Sequence, residues 1–330
     1  MTSNENGEAL DRLIRQIDRL HSGAGVAQQI LRLIREPDYD LAEVSKCLEH
    51  DPALSARILG VVNSSRYGLA HKIASIRHAA AFLGRRSLQL VTLSFSLLDA
   101  FSRGPYRQMY LEYWRRAITL ATVAHRIAER GGTVSGDEAY AAGLVADIGV
   151  LALAQVVGEP YVTLFLQHSH GPQLVEVEIQ TFGFSHAEVG AKLLERWGLP
   201  ESVVAAVAEH HDAVAGGDTI ETAVRAGWLM SEALWTPHSQ HVSAARTYLL
   251  EECGVSLDDF IDLALRCRSD IDESAEAFGI TMGKSVNCQQ LIEEARRVTL
   301  ETALAAALDL DTLETAVDGL TCADRQKRRD

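Results

Sequence analysis

Asp147, His186, His210 and His211 are the residues whose types and spacing could do chemistry in this chain. The adjacent pair His210-His211 and the single His186 stand downstream of Asp147 at ligand spacing. Imidazole is the commonest metal ligand, and a carboxylate is a natural companion. A divalent ion held by such a set lowers the pKa of bound water and makes a nucleophile near neutral pH. The competing reading is structural: Asp147 caps a helix or pairs within the core, and the histidines hydrogen-bond locally.

These residues sit in a chain of 330 residues, long enough for two modest domains. The apolar fraction of 47% permits a sizeable core, and no low-complexity tract argues for disorder. No apolar run reads as the ~18 residues of a membrane span, so none is expected. The polar, acidic start from Met1 to Glu8 does not resemble a secretory signal. A formal charge of −14 argues against non-specific nucleic-acid binding, which needs a positive surface. Arg85-Arg86, Arg115-Arg116 and the Lys327–Arg329 tail are the dense basic points, and they read as solvated helix faces. The five cysteines (Cys47, Cys253, Cys267, Cys288, Cys322) are scattered and odd in number. They are expected to be reduced thiols in a cytoplasmic protein, and their spacing excludes a zinc ribbon.

Almost every segment reads as helix. Asp40–Glu43 and Ser185–Glu188 both fit a capping box, and Asp51-Pro52 reads as an N-cap followed by proline at the first helical position. Gly84 and Gly198 follow apolar-periodic runs and read as left-handed stops, so Ile76–Leu98 should be two buried helices joined at Gly84. The expected fold is all-α: two packed helical layers with a C-terminal helical extension. The blocks fall at residues 8–106, 111–235 and 242–320, with Thr236–His241 as linker, a turn at Gly216–Asp218 and a frayed tail from Thr321. Asn63 and Ser64 should cap a helix end, since no Gly-x-Ser-x-Gly surrounds the serines. Trp114, Trp197 and Trp228 read as core, and no phosphate-binding glycine loop is present.

Motif order then points to a family. His50–Leu54, Ala56–Leu59 and Val62–Tyr67 come first, followed by Ile76, Ala79, Ala80 and Leu83-Gly84. Trp114-Arg115, Gly143–Gly149, His186–Gly190, Trp197–Pro200 and His210-His211 complete the series. From about Val26 to Trp235 the chain resembles the HDOD family, bacterial HD-related output domains. Two departures stand out: Leu20–Gly25 replaces a Leu-Pro-x-Leu-Pro-like opening, and the block after Trp235 has no counterpart.

The resemblance implies a first subdomain (8–106) and an HD-like pseudo-hydrolase subdomain (111–235), similar in fold to HD and HD-GYP metal phosphohydrolases. It also implies a pocket at Arg116, Ala146, Asp147, His186, His210, His211 and Gly227. Arg116 stands where the first metal histidine would be, and Ala146 where the histidine of the His-Asp pair would be. Gly227 marks the helix that would carry the last aspartate, and His186, His210 and His211 resemble the additional HD-GYP ligands. His125, nine residues beyond Arg116, turns to the opposite helix face. A guanidinium at Arg116 could fork onto Asp147 in place of the lost cation.

No catalytic residue and no cofactor are therefore expected; any divalent metal would fall to Asp147, His186, His210 and His211. The expected role is non-catalytic signal transduction through protein–protein interaction. The partners would be other signalling proteins, including those of cyclic-dinucleotide pathways by resemblance. The alternatives are a degenerate metal-dependent phosphohydrolase and a nucleotide- or anion-sensing module with its ligand against Arg116.

Overall fold

The helices start and stop where local chemistry tells them to. Ser185 and Glu188 form the full reciprocal box, with Ser185 Oγ accepting from the Glu188 amide at 3.2 Å and Glu188 Oε2 from the Ser185 amide at 2.7 Å. That box opens the helix His186–Arg196, which closes on Gly198 at φ 73°. The Gly198 amide donates to Glu195 O and the Leu199 amide to Leu194 O, a Schellman ending. Asp40 behaves differently from expectation. Its Oδ1 accepts from the Ala42 amide at 2.8 Å instead of the Glu43 amide, because a short carboxylate stem reaches either of the first free donors.

The structure is a computed structural model and describes residues 3–20, 33, 40–49, 52–64, 67–98, 106–168, 173–212, 217–277, 280 and 282–305. The expectations at His50-Asp51, at Leu20–Gly25 beyond Leu20, at Gly216, for the side chains of Arg85 and Arg86, and for the chain after residue 305 lie outside those residues. Among the described residues all regular structure is helical, so the all-α expectation holds.

In chain order the helices are α1 (Ser3–Leu20), α2 (Leu41–Glu49), α3 (Pro52–Val62), α4 (Ile76–Leu98), α5 (Arg107–Gly131), α6 (Gly136–Val145), α7 (Ile148–Val157) and α8 (Glu159–His168). They continue as α9 (Gln173–Phe182), α10 (His186–Arg196), α11 (Glu201–Glu209), α12 (Ile220–Trp235), α13 (Ser239–Glu251), α14 (Leu257–Ala277) and, last among the described residues, α15 over 288–305. Gly84 breaks α4 at φ 72°, as its position predicts. Of the expected caps, Ser64 Oγ donates to the Val61 carbonyl at 2.7 Å at the end of α3, while the Asn63 side chain turns elsewhere. Its amide exchanges two hydrogen bonds with the Ile73 backbone at 2.7 and 2.8 Å, closing the loop that leads into α4.

Helix α5 is the axle. It is buried along most of its length and packs against α6, α12, α14 and α8. The first layer (α2, α3, α4) joins the second where α4 meets α6 and α7. Helix α1 lies against α7 and α10, and α14 touches both α5 and α3. One apolar core runs from Leu13 to Ala295 through all three sequence blocks.

The expectation on apolar runs needs correction. Residues Gly136–Val157 are together long and apolar enough to cross a membrane by length and composition. The run is broken at Ala146-Asp147 between α6 and α7, and 83% of its apolar window is buried in the protein. It reads as core because helices of a large core are apolar all round.

Candidate functional site

The turn between α6 and α7 is two residues long, Ala146-Asp147, and it delivers Asp147 into the interior at 1% exposure. Asp147 precedes α7 but caps nothing with its side chain; both oxygens are committed elsewhere. Oδ2 accepts from Arg116 Nε at 3.1 Å. Oδ1 lies 3.2 Å from His210 Nε2 and 3.4 Å from His186 Nε2. The ion pair inferred for Arg116 and Asp147 is present, and it is buried on both sides.

Arg116 comes from the middle of α5, and its second arm reaches α12. Nη1 donates to Glu232 Oε1 at 3.0 Å. The helix that would carry the family's last aspartate near Gly227 thus offers a glutamate five residues later. Gly227 itself serves packing, since a Cβ there would lie 2.6 Å from the Leu120 carbonyl oxygen and the bare glycine lets α12 cross close to α5. Ala146 is buried beside Asp147 and contributes only a methyl group. His125 is away from the cluster, 3.4 Å from Glu129 and edge-on to Tyr140.

The histidines arrive from two further helices. His186 is the first residue of α10, fixed there by the capping box. Its Nδ1 faces Glu178 Oε2 at 2.7 Å, and its backbone amide donates to the same oxygen at 2.8 Å. Tyr161 donates to Glu178 Oε1 at 2.5 Å, so Glu178 is buried but fully partnered. His210 ends α11, with Nδ1 2.8 Å from the Val207 carbonyl. A carbonyl and a carboxylate only accept, so both rings carry their proton on Nδ1 and turn Nε2 towards Asp147. His211 Nε2 stands 2.9 Å from His186 Nε2, and its ring meets Trp228 edge-on at 4.8 Å between centroids.

The close approach of α7 and α10 makes this convergence possible. A Cβ on Gly149 would lie 1.9 Å from the His186 carbonyl oxygen. Only glycine allows α7 to pass so near the start of α10 and bring Asp147 beside His186.

Electrostatics follow the geometry. Burial alone would raise the Asp147 carboxyl, but Arg116, with His186 and His210, holds it well below the usual carboxylate range. Burial would lower His186; Glu178 and Asp147 outweigh it and push the ring up to about 9. Burial pushes His210 down, and it pushes His211 well down with help from its two histidine neighbours. One imidazolium can therefore serve the cluster while the other two rings stay neutral.

Four side chains could hold a metal: Asp147, His186, His210 and His211 offer one ligand atom each, all within 4.8 Å of one another. The sequence singled out these four. It missed Glu178 and Tyr161, and it gave Glu232 no role. The available signal was a charge on a helix face that otherwise reads as core. Glu178 follows Leu174 by one turn, and Glu232 interrupts the apolar end of α12.

Fold and site together define a helical module of HD type with an altered donor set. The HDOD domain model matches residues 20–213, and the chain belongs to the HDOD family. An uncharacterised protein of Treponema pallidum (strain Nichols) is 27% identical over 192 residues, which are 56% of this chain and 36% of that protein. The chain thus spans about a third of that curated relative's length. A solved structure from Shewanella amazonensis SB2B, described as a candidate phosphohydrolase, matches with TM-score 0.58 and 20% identity over 81% of this chain and 97% of its own. A candidate signal transduction protein from Marinobacter aquaeolei VT8 matches with TM-score 0.56 and 21% identity over 85% and 66%. At these identities the two structures establish a shared fold.

Proposed function

We propose that this HDOD protein is a non-catalytic regulatory module that works by binding another signalling protein. One observation carries the reading. Arg116, at 3% exposure, fills the interior between Asp147 and Glu232 and is bonded to both. A permanently charged guanidinium there takes one oxygen of Asp147 and one of Glu232 away from any metal pair, and it repels a second cation. Two-metal hydrolysis needs an ion on each side of the reacting phosphoryl group, and this arrangement leaves no room for it. The same pairing removes support from an anion sensor built on Arg116, because a guanidinium already held by two buried carboxylates has no charge to offer. The partner class is other signalling proteins, with those of cyclic-dinucleotide pathways first. The net charge of −14 argues against nucleic acid. Free thiols at Cys47, Cys253, Cys267 and Cys288 suit a reducing, cytoplasmic setting.

The deciding experiment has two arms. The purified chain is assayed against cyclic dinucleotides and simple phosphoesters with added manganese, iron or magnesium, and turnover is expected to stay at the blank. In parallel, candidate partners are titrated by calorimetry, and saturable binding by at least one is expected. Turnover that chelator abolishes and added cation restores would sink the reading.

A further inference from the structure

We propose that Asp147 Oδ1 and the Nε2 atoms of His186, His210 and His211 hold one divalent transition-metal ion of the zinc type, in a closed site that ties α7, α10 and α11 together without hydrolysing anything. The proposal deepens the regulatory reading and rests on it for the ion's non-catalytic role.

Proton placement is the first argument. His186 and His210 each spend their Nδ1 proton on an outer acceptor, the Glu178 carboxylate and the Val207 carbonyl. Metal-bound histidines are held in this way, with one ring nitrogen donating outward and the other left bare for the ion. With both rings neutral these nitrogens would face Asp147 Oδ1 at 3.4 and 3.2 Å lone pair against lone pair, so a proton or a cation must stand between them. A proton on His186 relieves one of these contacts and leaves the His210 contact unrelieved. A single cation at the common focus relieves all of them.

Spacing is the second argument. A tetrahedron with bonds of about 2.0–2.1 Å has edges of about 3.3–3.4 Å. The measured separations of 2.9, 3.2 and 3.4 Å lie close to such edges, and the whole donor set falls within 4.8 Å. Binding would lengthen the 2.9 Å contact slightly and draw in the widest separation, which is at most 4.8 Å.

Charge is the third. The buried carboxylates of Asp147 and Glu178 both border the donor set, Asp147 bonded to Arg116 and Glu178 to Tyr161 and His186, so the site turns an electronegative interior towards a cation. Imidazole with one carboxylate suits zinc and its late first-row neighbours better than magnesium or calcium, which prefer all-oxygen shells.

The donor count sets the role. Four protein ligands complete a tetrahedron, the hallmark of a structural site, whereas a catalytic zinc keeps a position for water. Arg116 on Asp147 Oδ2 keeps the carboxylate monodentate. Bound metal therefore acts as a bolt whose loading can report metal supply or fix the surface offered to a partner.

The test is metal analysis of the full-length chain, purified without chelator from medium supplied with zinc, iron, manganese and cobalt. About one ion per chain is expected. His211→Ala should reduce the content at least fivefold, and His78→Ala, on the exposed start of α4, should leave it unchanged. X-ray absorption of the loaded wild-type protein, which needs no variant to fold, should show a shell of light donors with imidazole scattering. Removing the ion should lower Tm by about 5 °C or more. Content below a fifth of an ion per chain after reconstitution, or a shell without imidazole, overturns the site. Phosphoester turnover by the loaded protein would leave the site standing and remove the non-catalytic reading. Partner binding by a chain that takes up no metal even after reconstitution would do the reverse.

Discussion

Arg116 carries a fixed positive charge through the centre of the site, and its value depends on both carboxylates it touches. Removing one partner of a buried pair leaves an uncompensated charge, which costs about 3–5 kcal/mol. Arg116→Met should therefore destabilise the chain by that order, read as a lower urea midpoint with an unchanged slope. Arg116→Lys should recover only part of the loss, because one ammonium cannot reproduce two guanidinium bonds aimed at two helices. The cysteines make the opposite point about reactivity. Burial, then Glu252, pushes the Cys253 thiol up to about 11. The thiolate is the reactive form, so iodoacetamide should label Cys253 slowly at pH 8 and much faster as pH approaches 11, followed by mass spectrometry.

At the scale of elements, the site is made by helix ends and close crossings. Asp147 occupies a two-residue break between α6 and α7, His186 opens α10, and His210 closes α11. Three termini meet because α7 can press against α10 at Gly149. Gly149→Ala would drive a methyl group into the His186 carbonyl oxygen, a backbone atom that cannot swing aside. The expected cost is about 3 kcal/mol or more, with separation of Asp147 from His186; thermal melting and histidine side-chain NMR would read both effects. Much of this level was legible in advance. The Ser185–Glu188 box, the Gly84 break and the Gly198 ending all follow from local chemistry that the chain spells out within a few residues. Glu178 was only faintly legible, because on a short helix that also carries Glu176 it looks like solvent-facing charge until the facing helix is known.

On the scale of the whole molecule, the described residues after Trp235 share one apolar core with the rest. Helix α14 packs against α5 of the second layer and α3 of the first. Arg126 on α5 holds Asp270 on α14 at 2.6 Å, and Arg115 donates to the Met282 carbonyl at 2.9 Å. Arg115 also lies over Trp235, one turn beyond the Glu232 that holds Arg116. The segment is thus tied to the helix that carries the site's central charge. Asp270→Asn should cost about 1 kcal/mol, since the pair is partly exposed. It should also speed amide exchange across 257–277 more than across α6. Equal protection in the variant and the parent would show that the pair contributes nothing to docking α14.

The sequence by itself determined the class of fold, the helix boundaries near strong caps, the family and the four residues that cluster around Asp147, because periodicity, capping chemistry and ordered motifs are local and survive in one dimension. It also offered the Arg116–Asp147 pair as a substitution of one cation for another. Only the tertiary structure decided that Glu232 completes that pair. The same is true of Glu178 fixing the His186 tautomer and of the C-terminal block spanning both layers. Those facts depend on which helix faces which across long separations in the chain. No local signal records them, since burial and proton placement are properties of the neighbour as much as of the residue.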